Sequence, residues 1–136
     1  MGNSTIDTGS NYSVTYVYAR QASVYGGSHN VNTGRQTGTF IPMYYGCDDN
    51  NADDTFSSLE IWIPHYSNTS NFKSASIKIV GPDTNTSDYN WGMGFCAGLW
   101  KSTSAITDVQ ILPWNSGGGA EHMQYSSFTL YGVTGA

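Results

Sequence analysis

The strict alternation of apolar and polar side chains is the feature that most restricts the fold of this chain. In the clearest segment, Leu59, Ile61 and Ile63 fall on one side of an extended backbone, while Glu60 and Trp62 fall on the other. Successive side chains of a β-strand point to opposite faces of a sheet. This period of two therefore predicts a strand with one buried face.

Strand-like segments of this kind recur along the chain, separated by Gly, Pro, Asp and Asn residues that favour turns. They are residues 12–18, 40–45, 56–63, 75–79, 93–100, 105–112 and 125–131. Short strands at this spacing favour an all-β fold, an antiparallel β-sandwich that is jelly-roll-like and has about seven or eight strands. We expect residues 1–136 to form a single domain. An eighth strand comes either from the region of residues 24–31 or from a neighbouring chain.

The composition agrees with a sheet protein whose surface carries few charges. Charged residues make up 11% of the 136 residues, whereas Ser, Thr, Asn and Gly are abundant and there are 10 Tyr. Ser, Thr and Asn compete for backbone hydrogen bonds in helices, and Gly adds an entropic cost. Tyr and Thr suit a pleated, half-buried surface. The composition therefore favours strands over helices.

Charge and hydropathy argue against two classes of partner, nucleic acids and membranes. The net charge is −5, and the five Lys and Arg residues are scattered along the sequence. Binding to a phosphate backbone needs clustered positive charge, so we expect no nucleic acid partner. No apolar stretch approaches the ~18 residues of a membrane span, and we expect no membrane association. The first residues do not resemble a secretory signal.

No catalytic constellation can be assembled from the sequence. The three histidines, His29, His65 and His122, lie outside any recognisable nucleophile motif, and Glu60 and Glu121 are the only glutamates. Acyl transfer usually needs a histidine base, and glycoside hydrolysis needs paired carboxylates. We therefore expect no enzymatic activity and no cofactor. A small hydrolase is the open alternative, because spatial pairing of carboxylates is not visible in a sequence.

One acidic loop is a weak calcium candidate. Asp48, Asp49, Asp53 and Asp54 lie within seven residues of each other, and oxygen-rich loops can bind Ca²⁺. The run lacks the glycine and the distal glutamate of an EF-hand loop. An exposed turn capped by Asp and Asn side chains is the favoured interpretation, so we expect no metal.

The two cysteines, Cys47 and Cys96, are far apart in the sequence and form no redox motif. They could form a disulfide in an oxidising compartment. Buried free thiols are the favoured alternative, because unpaired cysteine is among the most buried residue types.

The aromatic residues give the candidate binding positions. Trp62 lies opposite the aliphatic face of its strand, and Tyr125 and Tyr131 lie opposite Phe128 and Leu130. An outer face with Trp and Tyr and little charge is suited to a subunit contact. The candidates for stacking on a glycan, all close to glycine-rich segments, are Trp91, Trp100 and Trp114.

Four segments, taken in order, carry a family resemblance. They are residues 7–13 (DTGSNYS), 56–66 (FSSLEIWIPHY), 98–107 (GLWKSTSAIT) and 128–133 (FTLYGV). Together they resemble a family of virion structural modules of tailed phages, notably those of cyanobacteria and other aquatic hosts. The resemblance implies a jelly-roll-like module on the outside of the particle, commonly oligomeric, with no catalytic residues to carry over.

From this resemblance we expect a capsid decoration or cement protein that stabilises the exterior of the phage head. Its partners would be itself, as a homo-trimer, and other virion proteins such as the major capsid protein. It would be assembled in the host cytoplasm and located on the outer surface of the virion. The alternative is a carbohydrate-binding domain of a tail fibre or tail tip that recognises a host surface glycan. The absence of a shaft repeat favours the decoration protein.

The start of the sequence differs from the family pattern. Related modules carry one or two further strands before the segment at residues 7–13, whereas Met1 here stands almost directly before it. We therefore expect strands from a neighbouring chain to complete the sandwich.

Overall fold

The computed structural model describes residues 1–21, 29–43, 56–82, 91–112, 122 and 124–133. This part of the chain contains five β-strands and no helix, so the all-β prediction is confirmed. The strands are β1 (Tyr12–Gln21), β2 (His29–Gly38), β3 (Ser58–Trp62), β4 (Lys73–Pro82) and β5 (Trp91–Trp100). No helix long and apolar enough to cross a membrane occurs in the described ranges.

The five strands form one antiparallel sheet in the order β2-β1-β5-β4-β3. The central strand is β5, which pairs with β1 on one side and with β4 on the other. In the described part of the chain, β2 and β3 are the two edges of the sheet. A single sheet of five strands is what the structure shows, whereas the predicted sandwich of seven or eight strands is not shown.

One face of the sheet carries the hydrophobic core. Val14 of β1, Ala75 and Ile77 of β4 and Cys96 of β5 are buried together. Each alternates with an outward-facing residue, as the period of two requires. Burial of each large aliphatic side chain contributes roughly 1.5–3 kcal/mol to folding. We call this side the inner face.

The connecting segments supply the cover over the inner face. Ile41 and Ile63, which lie just outside the strands, pack against both of the buried clusters of the structure. Gly98 of β5 makes room for Ile41, because a Cβ at position 98 would lie 2.6 Å from Ile41 Cδ1. The core is therefore a sheet face covered by coil segments in this part of the molecule.

Four of the seven predicted strands are confirmed, at β1, β3, β4 and β5. The eighth strand predicted near residues 24–31 or in a neighbouring chain has a counterpart in β2, at His29–Gly38. The pattern of β2 is a weak indication of a strand, because the segment is polar and contains Gly34. Gly34 faces the ring of Tyr16, which occupies the space that a side chain at position 34 would need.

Three predicted strands are wrong in the part of the chain that the structure describes. Residues 40–43 are irregular, which agrees with the missing N–H donor of Pro42; residues 44 and 45 lie outside the described ranges. Residues 105–112 pair with the N-terminal segment through one isolated bridge, between Asp108 and Gly2. Residues 125–131 form no strand among the described residues. Alternation alone was insufficient because a strand also needs a neighbour.

The two sides of β4 provide a test of the fold. We expect Ile77→Ala to lower the free energy of unfolding by about 2–5 kcal/mol, because it leaves a cavity on the inner face. Val80→Ala, on the outward side of the same strand, is the matched control and should cost about 0.5 kcal/mol. Urea denaturation followed by circular dichroism measures both. Equal losses would contradict the assignment of the inner face.

Candidate interaction surface

Two of the three histidines, His65 and His122, are described with their side chains, and both are exposed. His65 is exposed in a turn with a positive φ of 51°, and its carbonyl accepts a hydrogen bond from Asn68 N at 3.0 Å. His122 is exposed, with Nε2 3.3 Å from Ile111 O and its ring against Phe128. Neither imidazole contacts a hydroxyl or thiol nucleophile in the described ranges. His29 lies on β2, but its side chain is outside what the structure describes.

Glu60 lies on the outward side of β3, where it forms a salt bridge of 3.2 Å with Lys78 of β4. Both side chains are well exposed, so the pair contributes little to stability. This position agrees with the predicted strand, in which Glu60 lies opposite the face of Leu59 and Ile61. Glu121 and the acidic loop with Asp48, Asp49, Asp53 and Asp54 lie outside the described residues. Within those residues, no group of three or more His, Cys, Asp or Glu could hold a metal.

Asp7 is the centre of a polar cluster at one end of the sheet. Its Oδ2 accepts hydrogen bonds from Trp100 Nε1 at 2.8 Å and from Asn11 Nδ2 at 3.0 Å. Its Oδ1 accepts one from the backbone N–H of Gly9 at 2.8 Å. The hydrogen bond from Trp100, followed by those from Gly9 and Asn11, lowers the pKa of Asp7 below its ordinary value. Asp7 is therefore held as a carboxylate that joins the N-terminal segment to β5.

Tyr12 extends this cluster into the core. Its hydroxyl lies 2.6 Å from Met1 O and 2.9 Å from Asp7 O, and its ring packs with Trp100 and Ile106. Burial and the nearby charge of Asp7 raise the pKa of Tyr12 to about 12. The hydroxyl therefore stays protonated at neutral pH and remains a donor.

Backbone and lysine contacts complete the same end of the sheet. Lys101 N donates to Asn11 O, and Ile106 N donates to Tyr66 O, both at 2.8 Å. The buried ammonium of Lys73 donates to the carbonyl oxygens of two loop residues, Asn71 and Thr103. These contacts and those of Asp7 define what we call the N-terminal cluster. Its residues are Asp7, Asn11, Tyr12, Tyr66, Asn71, Lys73, Trp100, Lys101, Thr103 and Ile106. Three of the four segments that carry the family resemblance meet in it, which gives those motifs a role in packing.

Trp100 is a core residue rather than the glycan-stacking residue that the sequence predicted. Its side chain is only 3% exposed, and its indole N–H donates a hydrogen bond to the carboxylate of Asp7. No ring face is left for a sugar. The glycine residues near Trp100 in the sequence suggested a stacking site, but they do not predict its packing against Tyr12 and Ile106.

The other candidate positions have mixed outcomes. Trp91 begins β5, but its side chain is not among those described, and Trp114 lies outside the described ranges. Their predicted stacking role stays a prediction. Cys96 is buried in the core, whereas Cys47 lies outside the described residues, so the state of the two thiols also stays a prediction.

The outward side of the sheet carries an apolar surface that the sequence did not reveal. Val17, Val80, Met93 and Phe95 are each between 39% and 60% exposed. They belong to the three adjacent strands β1, β5 and β4, with Val17 opposite Phe95 and Val80 opposite Met93 in the register. We call these four residues the outer patch. A shallow depression of about 430 Å³ lies over them.

The central strand has its larger side chains on the outer side. Inward positions of β5 include Gly92, Gly94 and Gly98, whereas Met93 and Phe95 point outward. Large apolar residues on the outward side of a strand form an exposed patch unless another element covers them. That alternation was the available signal for the outer patch. From β3 and β4, the charges beside the patch are the paired Glu60 and Lys78.

Two further apolar features are exposed. Trp62 is exposed on the outer side of β3, next to Glu60, as predicted. Tyr125 and Tyr131 are also exposed, although the segment that holds them is not a strand. We call residues 124–133 the C-terminal segment. Leu130 is 94% exposed in this segment. The role of these three aromatic residues in a subunit contact stays a prediction.

Comparison with known proteins adds no relative. No protein-family profile matches the chain, and neither the curated proteins nor the solved structures contain a significant match.

The N-terminal cluster predicts a specific response to pH. The folded state lowers the pKa of Asp7, so the carboxylate stabilises the fold above the ordinary value of 3.8, and this contribution is lost as the pH falls below it. We expect Asp7→Asn to destabilise the protein at neutral pH and to approach the wild-type stability in acid. Urea denaturation at pH values between about 6 and 3 measures the difference.

Glu60→Gln is the matched control, because it removes one negative charge from an exposed position on the sheet. A stability difference between wild type and Asp7→Asn that is the same at every pH would contradict the role of the carboxylate.

Proposed function

We propose that this chain is a non-catalytic structural protein of a tailed-phage particle, a capsid decoration or cement protein on the exterior of the head. The observation that carries this proposal is the outer patch on the central strands, with Phe95 and Met93 directed away from the core. The family resemblance of four segments in order supplies the setting.

The chemistry of the outer side suits a protein partner. Phe95 and Trp62 are aromatic residues of the kind that carry most of the energy in protein interfaces. The charges close to them, on Glu60 and Lys78, already neutralise each other. A neutral apolar surface of this kind exceeds what scattered exposed residues explain and indicates an interaction site. The depression over it is lined mainly by apolar side chains, with Ser58, Glu60 and Lys78 on the side of β3 and β4.

The proposed mechanism is bridging. The outer patch contacts the major capsid protein, and copies of the chain, in a homo-trimer, link neighbouring capsid subunits. A protein that binds only the assembled head stabilises it by mass action, by about 2.7 kcal/mol for each site when its free concentration is a hundred times the dissociation constant. The N-terminal cluster serves this role by fixing the coil segments against the sheet, so that little conformational freedom is lost on binding.

The sandwich architecture belongs to the same proposal. The five strands form one layer, and its outer side is apolar at the centre. A sheet with two apolar faces is stable when both are covered. We place the completed jelly-roll-like sandwich, with about seven or eight strands, in the assembled particle, where neighbouring copies add strands.

The location of the chain in intact particles tests the proposal. Cryo-electron microscopy of purified particles should show it in a regular array on the outside of the head. Its presence at the tail tip alone, or its absence from particles, would overturn the proposal. The tail-tip position would favour the alternative of a host-recognition domain.

A substitution in the outer patch tests the contact surface. We expect Phe95→Lys to weaken binding to heads stripped of this chain by at least about tenfold, equivalent to about 1.4 kcal/mol, because a charge is forced into an apolar contact. Co-sedimentation with stripped heads measures it.

Thr37→Lys, at an exposed position of the edge strand β2, is the matched control and should bind like wild type. Normal binding by Phe95→Lys would show that the outer patch is not the contact.

A further inference from the structure

In the described part of the chain, the inner face is only half-buried at the β3 edge of the sheet. Ile77 and Ile79 of β4 are each 3% exposed, whereas their partners in the register, Ile61 and Leu59 of β3, are only half-buried. All four lie on the inner face. Within the described ranges β3 pairs with β4 alone. One further strand beside β3 would bury Leu59 and Ile61 as fully as their partners.

The C-terminal segment has the pattern that such a strand needs. Phe128 and Leu130 are two residues apart, as Leu59 and Ile61 are, and are 57% and 94% exposed. Residues 124–133 contain no charged side chain. A neutral segment with an i, i+2 apolar pair can lie beside an apolar edge without burying a charge. In its own copy the described segment forms no strand, and its large apolar side chains are exposed, with the ring of Phe128 against His122.

We propose that the C-terminal segment of one copy adds to the β3 edge of a second copy as a sixth strand. Phe128 and Leu130 pack beside Leu59 and Ile61 on the inner face of the second copy. The side chain of Tyr131 falls on the opposite face, the side that carries Trp62. This contact is β-strand addition, in which backbone hydrogen bonds of an open edge give affinity and alternate side chains give specificity.

The area available is sufficient for a stable contact. Aromatic side chains bury roughly 150–250 Å² each, so Tyr125, Phe128 and Tyr131 together with Leu130 offer on the order of 500–600 Å². The receiving edge loses a comparable area. One such contact therefore buries on the order of 1,000–1,200 Å² in total, which clears the roughly 1,000 Å² that a specific interface needs, so each copy can give its segment to the next without reciprocal exchange. The exchange also protects an edge that would otherwise be open to unspecific pairing.

Complementation between two variants tests this contact. Leu130→Asp damages the segment and leaves the edge intact, whereas Ile61→Lys damages the edge and leaves the segment intact. We expect the wild-type chain to be oligomeric and each variant alone to sediment at the 14.7 kDa mass of one chain. Mixing the variants 1:1 should give a heterodimer of twice that mass, because one intact segment meets one intact edge.

The controls separate loss of contact from loss of folding. Gln110→Asp adds the same charge at an exposed position outside the segment and should stay oligomeric. Circular dichroism shows whether Ile61→Lys is folded; if it is not, Trp62→Lys on the exposed side of the same strand replaces it.

A monomeric wild type, an oligomeric Leu130→Asp variant or a mixture that stays monomeric would each overturn the proposal. The contact deepens the self-association in the proposed function, but it is measured in solution and does not depend on a phage particle. If the particle experiment fails but the two variants form the heterodimer, the contact between copies stands and only the proposed location is wrong.

Discussion

The unbroken register between β4 and β5 is the constraint on which the rest of the structure depends. Ten consecutive residue pairs join the two strands, from Lys73 opposite Trp100 to Pro82 opposite Trp91. A slip of one residue would exchange the two faces of either strand. The register thus places Ile77 in the core, and it also places Phe95 outside. The same pairing therefore determines which residues form the core and which form the exposed surface.

The sequence predicted the strands whose pattern is local and missed those that depend on partners. The alternation of Leu59 and Ile61 was sufficient for β3, and that of Ile77 and Ile79 for β4. The strand β2 is polar and was not recognised, because it is held by its ladder with β1 rather than by a buried face. Residues 105–112 have the alternating pattern of a strand, but their backbone forms hydrogen bonds with the N-terminal segment.

The candidate site could be predicted only in part, since exposure is a property of the folded chain. The outward position of Trp62 followed from its place on a strand, whereas Trp100 lies on the other face and is buried against Tyr12. The N-terminal cluster joins residues nearly a hundred positions apart, as the hydrogen bond between Asp7 and Trp100 shows. No local pattern contains that information. Of the four resembling segments, three are explained by this cluster, and the fourth, which contains Leu130, is left exposed.

The scarcity of charge on the outer side has a consequence for the solution conditions in which this surface works. Salt weakens contacts by screening charges, and on the outer side of the described sheet it finds the pair of Glu60 and Lys78 and the exposed Arg35 of β2. Salts that are excluded from protein surfaces, such as sulfate, strengthen the burial of apolar groups. An association through Phe95 and Met93 would therefore depend only weakly on ionic strength, and sulfate would tighten it.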